Sequence, residues 1–78
     1  YRLPELQYYH KGNKLYFRWY NVNPKFKMPV DVNINGVENR IYPSTKIKEI
    51  KIQELSVIIF RDWEYLIAVK INPDLAEG

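Results

Sequence analysis

Cysteine is absent from this sequence. That removes a disulfide framework, every thiolate metal site and a cysteine nucleophile, and it leaves the compartment open. Histidine occurs once, as His10, so no His-Glu-x-x-His zinc helix exists. Glycine is confined to Gly12, Gly36 and Gly78, too few and too far apart for a phosphate-cradling loop. Ser44 and Ser56 have no base in the sequence except the distant His10. No apolar run approaches the roughly 20 residues needed to cross a bilayer. Val57 to Phe60 is strand-sized, and no membrane insertion is expected. A dense basic stripe is also missing. The formal net charge is +3, and acids interrupt the Lys and Arg throughout. That pattern reads as a mixed-charge surface, and nucleic acid is not an expected partner.

What is present is aromatic and β-branched. Seven Tyr, three Phe and two Trp supply a core for 78 residues, read as one domain over 1–78. With no initiating Met and no signal peptide, the chain reads as a fragment of a larger multidomain protein. Leu6 to His10 is aromatic-rich and stops at Lys11-Gly12-Asn13. Lys14 to Tyr20 alternates, with Leu15, Phe17 and Trp19 on one face and Tyr16, Arg18 and Tyr20 on the other. Asn21 to Lys27 reads as a turn at a sandwich corner, with Phe26 tucked into the open end. Met28 to Asn35 alternates again, placing Met28, Val30, Val32 and Ile34 inward and Asp31, Asn33 and Asn35 outward. Asn35-Gly36 is a hairpin signal, because both central positions of a type I′ turn need positive φ. Val37 to Tyr42 is the returning strand.

Ile47 to Ile52 and Val57 to Phe60 read as two further strands, although Ile47 and Ile50 also have helical spacing. Arg61 to Glu64 is a turn. Tyr65 to Ile71 is the last strand, with Tyr65, Ile67, Val69 and Ile71 on one face. The ends, Tyr1 to Pro4 and Asn72 to Gly78, read as a lead-in and a loose exit. About seven short strands at this spacing predict an all-β fold, a small antiparallel β-sandwich of immunoglobulin-like kind.

Few side chains invite chemistry. His10, beside Tyr8 and Tyr9, reads as a surface or hydrogen-bonded residue. Asp31, Asp62 and Glu64 are too scattered for a calcium loop. The outward face carrying Tyr16, Arg18 and Tyr20 is the better candidate for a contact or binding surface. Aromatics interleaved with Arg could also stack bases, as on a small oligonucleotide-binding barrel. Trp63 and Tyr65 form a second candidate, for glycan or protein.

The run KGNKLYFRWYNVNPKFKMPVDVNINGVENRIYPST resembles a segment of bacterial zinc metallopeptidases of the aminopeptidase N-like family. The matching residues are Arg18, Trp19, Asn21, Val22, Phe26, Met28, Pro29, Val30, Gly36 and Pro43, and Ser44-Thr45 stands for a Pro-Thr step shifted by one. The match covers Lys11 to Thr45 well and the rest loosely, and none of its residues is catalytic. In that family the segment belongs to a small β-sandwich that follows the catalytic domain. The resemblance therefore implies an accessory domain that supports the catalytic domain and shapes substrate access. Its zinc would lie in the parent catalytic domain, with no cofactor and no catalytic or metal residue in this one. Its partners would be neighbouring domains of the same polypeptide, the isolated domain being monomeric. The alternative is an independent glycan- or protein-binding module.

Overall fold

The computed structural model describes residues 3–60 and 67–77. The described residues form seven strands: β1 (Glu5–Lys11), β2 (Lys14–Tyr20), β3 (Val30–Ile34), β4 (Val37–Ile41), β5 (Lys48–Lys51), β6 (Ile58–Phe60) and β7 (Ala68–Ile71). They form a four-stranded sheet, ordered β5-β2-β1-β7, and a three-stranded sheet, ordered β4-β3-β6. The fold is the all-β sandwich that the alternation predicts.

Its edges depart from a constant-type immunoglobulin order, in which strand 4 lies beside strand 5 and strand 7 beside strand 6. Here β4 pairs with β3, and β7 pairs with β1. The β1–β7 pair is parallel, whereas every other pair is antiparallel.

The core lies between the sheets. Leu6, Leu15, Phe17 and Trp19 enter from the four-stranded sheet, and Val30, Val32 and Ile41 from the other. The register explains the selection. Leu6 stands opposite Trp19, Tyr8 opposite Phe17 and Val30 opposite Ile41, so apolar side chains from adjacent strands share one face. Tyr8 then reaches across the gap to Phe60, with ring centroids 4.6 Å apart.

Two turns carry the hairpins. Gly12, at φ 61°, starts the β1–β2 turn, as a type II′ turn requires of its first central residue. Asn35 at φ 53° and Gly36 at φ 87° form the predicted type I′ turn. The Gly36 N–H donates to Asn33 Oδ1, 2.9 Å away. Gly36→Ala should cost about 1–2 kcal/mol from backbone strain alone, since an added Cβ meets nothing within 4 Å. Gly36→Asn should recover most of that loss in urea unfolding. Equal midpoints for the alanine variant and the parent would contradict the turn assignment.

The structure corrects several boundaries. Met28 does not face inward. It precedes β3 and is 37% exposed, and its backbone carbonyl rather than its side chain meets the core by accepting the Trp19 indole N–H at 3.1 Å. Pro29 stands just before the strand, where its missing N–H breaks no ladder bond. Ile71 is 65% exposed, at the end of β7, which is an edge strand among the described residues. Of the last predicted strand, Tyr65 and Leu66 lie outside the described residues, as does the predicted turn Arg61–Glu64.

The largest departure is at the end of the chain. Pro73–Glu77 is a 3₁₀ helix that packs against β1 and β2, with Leu75 buried. Asn72 starts it as a cap: its side-chain Oδ1 accepts the Asp74 N–H at 3.0 Å, and its carbonyl accepts the Leu75 N–H at 3.2 Å.

Candidate functional site

Tyr16, Arg18 and Tyr20 do share the outer face of the four-stranded sheet. Their β1 partners on that face are Tyr9, Gln7 and Glu5, and Glu49 of β5 lies beside Tyr16. The face is less open than the sequence suggests. Tyr16 and Arg18 are half-buried, and only Tyr20 is exposed.

The covering comes from the C-terminal 3₁₀ helix. Leu75, Ala76 and Glu77 join Tyr16, Ile47 and Glu49 around an open cleft of about 350 Å³. At the other end, the Arg18 guanidinium lies 5.1 Å from the centre of the Tyr20 ring, a cation–π contact.

Beneath this face sits Gln7, which the sequence reading did not single out. It is 8% exposed. Its Oε1 accepts from Arg18 Nε and from Asn72 Nδ2, each at 2.9 Å, and its Nε2 donates to Glu5 Oε2 at 2.6 Å. Glu5 in turn faces Lys70 of β7 at 3.6 Å. A buried amide with these bonds made is a structural clamp. It ties β1, β2 and the C-terminal segment together and fixes the direction of Arg18. A lone Gln between Leu6 and Tyr8 was the available signal, but its partner Asn72 is distant in sequence.

On the same face Lys14 lies 3.2 Å from Glu49, and that hydrogen bond holds the Lys14 pKa above the usual lysine range. A raised pKa adds stability that is present at neutral pH and is lost as pH rises through the raised value. Glu49→Gln should bring the Lys14 titration, followed by NMR at its ε-methylene, down toward that of free lysine. Superimposable curves would contradict the pairing.

His10 has a local partner: its Nε2 lies 2.9 Å from the Gly12 carbonyl and donates to it. Asp31 faces outward and pairs with Arg40 at 2.9 Å. Among the described residues, no three His, Cys, Asp or Glu side chains come together in a way that could hold a metal ion. No helix among them is long and apolar enough to cross a membrane. Asp62, Trp63, Glu64 and Tyr65 lie outside the described residues.

Of the residues behind the resemblance, Trp19, Phe26, Met28 and Pro43 gather at one corner, whereas Gly36 turns the β3–β4 hairpin and Arg18 lies on the outer face. Trp19 is 1% exposed. Phe26 packs edge-on against it, 5.0 Å between centroids and 84° between planes. The Trp19 amide donates to the Ser44 carbonyl at 2.7 Å, beside the buried Pro43. Asn21 turns the chain at φ 61°, a conformation that Asn tolerates better than most residues. Asn21 to Lys27 is thus a packed corner, with Phe26 half-buried over the Trp. No family model matches the chain, and no curated protein or solved structure matches it.

Proposed function

We propose that this chain is a non-catalytic accessory β-sandwich domain of a zinc aminopeptidase-like polypeptide, supporting its catalytic domain and shaping substrate access. The observation that carries the reading is the role of the residues behind the resemblance. Trp19, Asn21, Phe26, Met28, Gly36 and Pro43 serve the Trp19 corner and the β3–β4 hairpin. A pattern made of such residues marks a kind of domain rather than a reaction, so the link to peptidase activity rests on the sequence resemblance alone.

Contact with a neighbouring domain would use the Tyr20 end of the outer face, since the C-terminal helix occupies the Tyr16 end. Arg18 is a poor probe of that contact, because reversing its charge also strips a partner from buried Gln7. Tyr20→Ser is the cleaner variant.

The coding sequence around this segment gives the first test. A His-Glu-x-x-His helix upstream supports the reading. A glycosidase or a string of sandwiches there replaces it with an independent binding module. In the intact polypeptide, Tyr20→Ser should lower arylamide hydrolysis while leaving the melting temperature of the isolated domain unchanged. Unchanged hydrolysis after deletion of the whole domain would contradict a supporting role.

A further inference from the structure

Each sheet has two edges, and three of the four are guarded by charge. β5 carries Lys48, Glu49 and Lys51, β4 carries Glu38 and Arg40, and β7 carries Lys70. Charged side chains on an edge strand discourage pairing with another chain. β6, Ile58–Phe60, carries no charge, no proline and no glycine. Apolar side chains stand open on it and before it: Leu55 is 93% and Val57 65% exposed in the lead-in, and Ile59 of the strand is 58% exposed.

The backbone register shows which groups face this edge. The Asn35 N–H donates to the Val57 carbonyl, and Asn35 Oδ1 accepts the Val57 N–H, both at 2.9 Å. That row is therefore hydrogen-bonded. Antiparallel rows alternate, so Asn33 and Ile59 form the next bonded row on β3. Ile58 and Phe60 must then turn their N–H and C=O groups away from β3, toward the open edge. Among the described residues, β6 pairs with β3 alone.

We propose that β6 pairs with β6 of a second copy of this chain, antiparallel about a two-fold axis through Ile59. In that register Ile58 of one copy exchanges backbone hydrogen bonds with Phe60 of the other. The two Ile59 side chains then meet across the close, non-hydrogen-bonded row. A two-fold interface needs a self-complementary patch. This one qualifies because both bonded rows match Ile with Phe and no charge on either strand opposes another. The product is a continuous sheet ordered β4-β3-β6-β6-β3-β4. This pairing is an alternative to the monomeric isolated domain that the resemblance implies.

Three residues a side make a small interface, below the roughly 1,200 Å² of a stable complex. Association should be weak, with Kd on the order of 0.1–1 mM.

The test is sedimentation equilibrium from about 10 μM to about 1 mM, with amide spectra across the same range. The expected result is a shift from monomer to dimer, with concentration-dependent amide changes centred on Ile58 and Phe60. Ile59→Lys, at an exposed position, should give a folded monomer throughout. Ile59→Thr keeps the β-branched shape and should still associate more than the lysine variant. A monomer at every concentration overturns the proposal, as does a dimer that survives Ile59→Lys. A chain that stays monomeric yet binds a synthetic peptide of residues 55–60 shows an edge that receives other strands, and overturns self-pairing too.

Discussion

Trp19→Ala should unfold much of the chain. Among the described residues the indole is the largest fully buried side chain, its N–H is held by the Met28 carbonyl, and Phe26 rests against its ring. Truncation removes the apolar burial, leaves a cavity and orphans that carbonyl, at a cost of about 3–5 kcal/mol. A domain of this length has roughly 4–12 kcal/mol in total. Urea unfolding followed by circular dichroism should show the midpoint falling by about a quarter or more. Tyr16→Ala is the control. Tyr16 lies on the opposite face of the same strand, half-buried beside the C-terminal helix, and its truncation should cost about 1 kcal/mol. Equal losses for the two variants would mean that the faces of β2 are reversed.

Leu75→Ala should be the second large effect, about 2–3 kcal/mol. Nothing in NPDLAEG announces this, yet Leu75 is 2% exposed over the outer face of β1 and β2. Its loss should also loosen Asn72, which bonds Gln7 from the same segment. The Gln7 side-chain amide protons should therefore exchange faster with solvent. A loss below about 0.5 kcal/mol, with Gln7 protection intact, would mean that the segment is not part of the fold.

The strands were legible because most of them are half-buried, and half-burial writes a period of two. Leu15, Phe17 and Trp19 gave the inner face of β2, and Asn35-Gly36 gave the β3–β4 hairpin from local chemistry. Local pattern stops encoding structure where distant contacts decide it. In Val57-Ile58-Ile59-Phe60 both alternations are apolar, so the sequence could not say that Ile58 and Phe60 pack inward while Val57 and Ile59 stay exposed. Met28 is apolar and in phase with Val30, but the chain bends at Pro29 and brings only its carbonyl to the Trp. The parallel β1–β7 pair joins segments about 60 residues apart, and no local pattern encodes such a pairing.

The candidate face was half legible for the same reason. The outward placement of Tyr16, Arg18 and Tyr20 follows from alternation. Its partial cover by Leu75 and its anchoring through Gln7 and Asn72 depend on the far end of the chain. A single Leu in five residues also has too short a period to signal a buried 3₁₀ turn.

Zinc titration of the isolated chain by calorimetry, with arylamide turnover assayed on the same sample, tests the accessory-domain account most directly. Peptide hydrolysis at zinc needs about three protein ligands, an open coordination position and a base. The single imidazole here already donates to the Gly12 carbonyl. An accessory domain should show no stoichiometric heat, an unchanged melting temperature, and no turnover beyond that of buffer. Stoichiometric micromolar binding, or turnover that persists through repurification, would contradict it and direct attention to Asp31, Asp62 and Glu64.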